Sequence, residues 1–207
     1  MKTLTQDMQQ ALTPAKAIEL LMDGNKRFVN NLKVNRNLLQ QVNETSNGQY
    51  PFATILSCID SRTSAELIFD QGLGDVFSIR VAGNVINEDI LGSMEFACKV
   101  AGSKAIVVLG HTKCGAVKGA CDHVRMGHLT YLLNKLEPAV YEEKTVTENR
   151  NSSNPEFVEK VALRNVQLTL QAIPEQSSIL KDMLDNGEIA LIGGVYDVDT
   201  GIVEFFS

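Results

Sequence analysis

At 207 residues, with 44% hydrophobic and 21% charged residues, the chain has the size and composition of a globular domain that buries a core without staples. Its formal net charge of -6, from 25 acidic against 19 basic side chains, argues against nucleic acid as a partner, because phosphate binding needs clustered positive charge. No apolar run approaches the ~20 residues of a membrane helix, and the opening residues carry no secretory pattern, so the expected location is cytoplasmic.

Residues 4–12 and 14–29 show helical spacing, the second with Thr13 as N-cap and Pro14 at the first helical position. This arm can lie on its own domain or on a partner subunit, and both readings stay open. Residues 30–50, rich in Asn and Gln, read as a loop with at most one helical turn. The apolar run Phe52-Ala53-Thr54-Ile55-Leu56 reads as a buried strand that leads into Cys58-Ile59-Asp60-Ser61-Arg62. Side chains alternate along an extended segment, so Cys58 and Asp60 can face one way, and Arg62 with them if the extension persists. A helix is expected over 62–69, a turn at Gly72 and Gly74, a strand over 76–81 ending at Ala82-Gly83-Asn84, and a helix over 90–100 that closes at Gly102. A second apolar run, 105–110, ends in His111-Thr112-Lys113-Cys114-Gly115. Helices follow over 116–126 and 129–141, then a flexible polar surface loop over 144–155. Further helices are expected over 156–172 and 174–185, with Gly187 as a stop, and then strands over 189–197 and 201–206 joined by a turn at 199–201. The expected fold is α/β: a mainly parallel central sheet of four to five strands with flanking helices and an N-terminal helical arm. Residues 1–207 read as one domain, with arm and loop over 1–50 and the α/β core over 51–207.

In such sheets ligands gather at the carboxyl ends of the strands, where both polar clusters fall. Four cysteines, at 58, 98, 114 and 121, in a chain without a visible signal point to metal ligands, reactive thiols or core residues before a disulfide framework. Cys58, His111 and Cys114 offer three zinc ligands with a fourth position left over, the pattern of catalytic sites. Gly110 and Gly115 are expected to free the backbone around the His-x-x-Cys turn. Such a set can also be plain core, and Asp60-Ser61-Arg62 can be a helix cap with a surface ion pair. An ionised pair beside a metal is suited to orienting a bound water, whereas an apolar core penalises it. Cys98 and Cys121 read as ordinary helix thiols, and His123 and His128 as surface histidines able to shuttle protons.

Cys58-x-Asp60-Ser61-Arg62 together with Gly110-His111-x-x-Cys114-Gly115 resembles the beta-class carbonic anhydrases. The resemblance extends from Gly24-Asn25-Lys26-Arg27-Phe28 through Ile79-Arg80-Val81-Ala82-Gly83-Asn84 to Gly194-Val195-Tyr196-Asp197-Val198-Asp199-Thr200-Gly201, and is weakest over 30–48 and 140–160. It implies zinc held by Cys58, His111 and Cys114, with Asp60 and Arg62 as a catalytic dyad and Asp60 as fourth ligand in a closed form. It implies reversible hydration of carbon dioxide to bicarbonate and a proton, a lyase reaction in which zinc-bound hydroxide attacks the carbon. Two thiolates donate more charge than imidazoles, so a rate that climbs toward alkaline pH is expected. Gln49, Phe77, Ala82, Phe96 and Gly115 match substrate-side positions, although Ala82 and Phe96 depart from the valine and tyrosine usual in plant-type members. Ile55 stands where a bicarbonate-inhibited subgroup carries tryptophan, with Arg80 and Tyr196 matching that subgroup's other two residues. With no tryptophan in the chain, no such inhibitory site is expected. The resemblance also implies a homodimer or homotetramer. Two alternatives remain: a related zinc hydrolase of carbon disulfide or carbonyl sulfide, and a non-enzymatic zinc or redox-sensing protein.

Overall fold

The computed structural model describes residues 3–206. One sheet runs in the order β2-β1-β3-β4-β5, built from β1 (Ala53–Ser57), β2 (Val76–Arg80), β3 (Ala105–His111), β4 (Ala190–Tyr196) and β5 (Val203–Phe206). The first four strands are parallel, and β5 lies antiparallel on β4. The helices are α1 (Gln6–Ala11), α2 (Pro14–Val29), α3 (Leu38–Thr45), α4 (Ala65–Ile68), α5 (Glu88–Glu95), α6 (Gly115–Cys121), α7 (Gly127–Asn134), α8 (Glu137–Glu142), α9 (Pro155–Gln176) and α10 (Ser178–Asp185).

Strand alternation places the core on both sides of this sheet. Ala53 and Ile55 of β1 and Ala105, Val107 and Leu109 of β3 meet Ala17 and Leu21 of α2. Leu56, Ile106 and Val108 turn the other way, onto Met94 of α5, Val166 and Ile173 of α9, and Leu180 of α10. With both faces covered, the central strands have to be apolar throughout, and every residue of β1 and β3 is buried. The chain goes from β1 to β2 on one side and returns as β3 on the other. The strand order therefore reverses between β1 and β3, which opens a crevice beyond their carboxyl ends.

The arm lies on its own domain. Thr13 caps α2 by accepting from the Lys16 N–H, while buried Gln9 of α1 donates to the carbonyls of Pro51 at 2.7 Å and Ala101 at 2.8 Å. Asn25 ties α2 to the end of the chain, donating to the Gly201 carbonyl at 2.9 Å and accepting from the Val203 N–H at 2.9 Å.

Several boundaries differ from those read along the chain, each for a local reason. Residues 30–50 hold an eight-residue helix, α3, rather than at most one turn. Asn37 caps it, and buried Gln41 accepts from the Leu73 N–H at 3.2 Å, so the polar residues act as cap and tertiary anchor. The helix expected from residue 62 starts only at Ala65, because Thr63 Oγ1 donates to the carbonyls of Cys58 and Asp60 and holds a turn instead. The helix expected over 90–100 begins at Glu88 behind an Asn87 cap, then widens into a π turn over Phe96–Val100, closed by the Ala101 N–H on the Phe96 carbonyl.

After Cys121 the chain leaves α6 through left-handed His123 at φ 51°, so that helix stops well short of residue 126. The helix expected over 129–141 is two, α7 and α8, the second with Pro138 in its first turn. Conversely, α9 runs past Pro174 to Gln176. The break falls at Ser177, whose hydroxyl caps α10 by accepting from the Leu180 N–H at 3.1 Å. The 144–155 segment is not a free loop. Arg150 donates to the carbonyls of Val140, Glu143 and Val146 and stacks 4.5 Å over Phe157.

Candidate metal centre

β1 ends at Ser57, level with Leu109 of β3, and β3 continues two residues further to His111. Cys58 therefore leaves one wall of the crevice while His111 closes the other. Beyond His111, Lys113 takes a left-handed φ of 57°, which turns the chain so that Cys114 is the residue just before α6. This turn is fastened to the β4–β5 connection. The Thr112 N–H bonds the Tyr196 carbonyl at 3.0 Å, the Val198 N–H bonds Thr112 Oγ1 at 3.0 Å, and Lys113 pairs with Asp199 at 2.5 Å.

Cys58, His111 and Cys114 are all buried, and their ligand atoms lie within 4.8 Å of one another; among the described residues this is the group able to hold a metal ion. Three features fit a zinc ion. The two sulfurs are 4.0 Å apart, close to the roughly 3.8 Å that tetrahedral bonds of ~2.3 Å would give. His111 Nδ1 lies 2.8 Å from the Thr112 carbonyl, which fixes the proton there. The other nitrogen, Nε2, is buried without a partner among the described residues, and a buried nitrogen left so costs about 1–3 kcal/mol unless something binds it. The thiol pair is electrostatically split. Contact with Cys114, helped by the Gly83 N–H, draws the Cys58 thiol down against the push of burial. The same contact and burial push Cys114 up.

Asp60 and Arg62 sit at the mouth, in a turn rather than in extension of β1. The Arg62 backbone N–H and Nε both donate to Asp60 Oδ1 at 3.0 Å, and an Nη donates to Oδ2 at 2.8 Å. These bonds hold the Asp60 carboxyl well below the usual carboxylate range. Both carboxylate oxygens are engaged by Arg62, and Asp60 stands outside the three-ligand group.

Other predicted positions are dispersed. Phe77 and Phe96 meet edge-on, centroids 6.3 Å apart, and line a groove with Ser78, Ile79, Glu88 and Gly92. None of Cys58, His111 and Cys114 lines that groove. Gln49 is exposed just ahead of β1, and Ala82 adjoins Gly83. Gly115 opens α6 with free space around it, while Gly110 serves packing rather than backbone freedom: a Cβ there would stand 2.7 Å from a Val166 methyl. His123 and His128 are exposed, and the four cysteines are free.

Sequence reading named Arg80 and Gly83 as family positions but not as braces of the site, and did not single out Asn165. Arg80, at the end of β2, donates to the carbonyls of Cys58 at 3.0 Å and Asp60 at 2.6 Å. The Gly83 N–H approaches Cys58 Sγ at 3.4 Å, and Asn165 of α9 donates to the Gly83 carbonyl at 2.9 Å. The one local signal for Asn165 is a polar residue on the apolar stripe of its helix.

A parallel-sheet α/β protein with two cysteines and a histidine converging at the strand-order reversal has the build of a metal-dependent enzyme. The family model described as carbonic anhydrase matches residues 53–203. Carbonic anhydrase 2 of Mycobacterium tuberculosis is 35% identical over 196 residues, covering 91% of this chain and 90% of its own. The carbonic anhydrase of Mycolicibacterium smegmatis is 32% identical over 200 residues, covering 94% of each. Among solved structures, the β-carbonic anhydrase CafA of Aspergillus fumigatus superposes with a TM-score of 0.70 at 28% identity, covering 93% of this chain and 88% of that one. The chain belongs to the carbonic anhydrase family, a family of enzymes, and its fold is that of the beta class.

Proposed function

We propose that this protein is a zinc enzyme that reversibly hydrates carbon dioxide to bicarbonate and a proton, with the metal held by Cys58, His111 and Cys114 and with Asp60 and Arg62 as its working dyad. The observation that carries the reading is the buried, unpartnered His111 Nε2 in a cluster with two free thiols at the sheet's switch point. Bound there, zinc supplies Lewis acidity that lowers the pKa of a water molecule toward neutrality.

The remaining work falls to the chain. Cys58 and Cys114 bring negative charge that neutralises the cation, and the Thr112 carbonyl fixes which His111 nitrogen is free. Arg62 holds Asp60 ionised and turned toward itself. In that state Asp60 can only accept hydrogen bonds, so it orients a water proton rather than supplying one. Arg80 and Thr63 lock the carbonyls of Cys58 and Asp60 and so keep the acceptor in register with the thiolate.

Self-association belongs to the same reading. Leu38, Leu39 and Val42 on α3, together with Phe96 and Val100 on the π turn, are large apolar side chains left exposed. They are the kind of surface a second copy of the chain would cover. Among the described residues no helix is long and apolar enough to cross a membrane.

The test is stopped-flow carbon dioxide hydration on protein of measured zinc content. Zinc-loaded protein should hydrate well above background, and zinc-stripped protein should not. Loaded protein at background, or hydrolysing carbon disulfide or carbonyl sulfide instead, overturns the proposal.

A further inference from the structure

The buried face of α9 is an apolar stripe, Phe157, Val158, Val161, Ala162, Val166 and Ile173, interrupted by Asn165 and Thr169. A buried amide on such a stripe costs stability unless it is bonded. Asn165 spends its donor on the Gly83 carbonyl, 82 residues away, at 2.9 Å. Gly83 is itself an unusual anchor. Its φ is 69°, and a Cβ there would stand 2.9 Å from a Leu136 methyl. The residue is thus clamped between Leu136 and the Asn165 amide, and the clamp sets where its own N–H points. That N–H lies 3.4 Å from Cys58 Sγ.

We propose that Asn165 is a positioning residue for the metal centre: by holding Gly83 it aims a backbone N–H at the Cys58 sulfur. This rests on the reading of Cys58 as a metal ligand and deepens it. A centre with two thiolate ligands receives much negative charge. An N–H donated to one sulfur draws part of that charge back, stabilising the thiolate and leaving the metal a stronger Lewis acid than two bare thiolates would. No charged side chain is needed, so the sulfur is tuned without placing a further ion in the crevice.

The probe is Co2+, whose sulfur-to-metal charge-transfer band in the near ultraviolet reports the thiolate ligands, the Cys58 share being the part lost in Cys58→Ser, with zinc affinity read by competition against a chelating dye. Asn165→Leu keeps the size of the side chain and removes the donor, and Asn165→Ala serves if the leucine variant does not fold by circular dichroism. Thr169→Val makes a comparable polar-to-apolar change one turn along the same buried face, without touching Gly83. The donor-free variant should bind zinc about 10- to 100-fold more weakly and shift the charge-transfer band to longer wavelength, and Thr169→Val should change neither. In a Cys58→Ser background, Asn165→Leu should have no further effect on affinity, because the sulfur it acts on is gone. Unchanged affinity and band in both Asn165 variants overturn the proposal, as does an equal loss of affinity with and without Cys58, which would mark Asn165 as merely structural. A wild-type protein that binds Co2+ with no charge-transfer band, or whose band is untouched by Cys58→Ser, removes the ligand reading itself and the proposal with it.

Discussion

Asp60 carries the sharpest consequence of a single side chain. Arg62 occupies both its oxygens, so the carboxylate is an acceptor held at the mouth of the cluster. Asp60→Asn keeps the shape but replaces one acceptor oxygen by a donor. Zinc content, measured by metal analysis, should stay at the wild-type level, while stopped-flow hydration falls by about 100-fold or more. Loss of zinc together with activity would instead make Asp60 a structural support for the ligands. The proposed ligand set carries a second expectation. Two thiolates leave a bound cation less acidic than three imidazoles do, so the hydration rate should rise steadily between about pH 6 and about pH 9. A flat profile over that range contradicts the argument. The residues that bear these predictions stood out as residue types at strand ends, but the clamp around them did not. Nothing local distinguishes Gly83 or Asn165 as neighbours of a sulfur.

At the scale of elements, Asp70 joins α2, the segment before α3 and the end of α4. Its carboxylate is buried, accepting from Arg27 Nε at 2.6 Å, from an Arg36 Nη at 2.5 Å and from the Val34 N–H at 3.2 Å. Burial alone would raise its pKa, but the donors outweigh it, and the carboxyl is held below the usual range. A depressed folded-state pKa stabilises above the unfolded value of about 3.9 and is lost as pH falls through the folded value. Asp70→Asn leaves the buried Arg36 guanidinium without its counter-charge and should cost about 3 kcal/mol or more in urea unfolding near neutrality. That gap should hold from about pH 5 to about pH 8 and close on acidification below about pH 4. A gap that widens on acidification refutes the assignment. Asp70 illustrates why element ends were harder to read than element interiors. Where the segment before α3 lies against the end of α4 depends on partners more than thirty residues apart, which no window of local spacing contains.

For the molecule as a whole, the exposed apolar residues on α3 and the π turn predict a dimer or larger assembly by sedimentation velocity. Leu39→Glu combined with Val100→Glu should shift it toward the monomer while leaving circular dichroism unchanged, and a wild-type monomer at micromolar concentration would remove the prediction. The sequence by itself determined the alternation of strand and helix, the parallel sheet and the start of α2, with its Thr13 cap and Pro14 at the first helical position. These follow from unbroken apolar runs in the strands, from a spacing of about 3.6 residues in the helices and from bonds made within one turn. It also singled out Cys58, Asp60, Arg62, His111 and Cys114, because charged and sulfur-bearing groups at the ends of apolar strands are conspicuous. Only the tertiary structure decided that the arm folds back on its own sheet, through Gln9 and Asn25. Only it decided that Asp60 and Arg62 pair within a turn, and that Arg80, Thr63, Gly83 and Asn165 surround the Cys58 backbone and sulfur. Gln9, Asn25, Arg80, Gly83 and Asn165 act through hydrogen bonds to residues that chain order keeps apart and packing brings together, whereas the Asp60–Arg62 pair and Thr63 follow from the turn the chain takes on leaving β1.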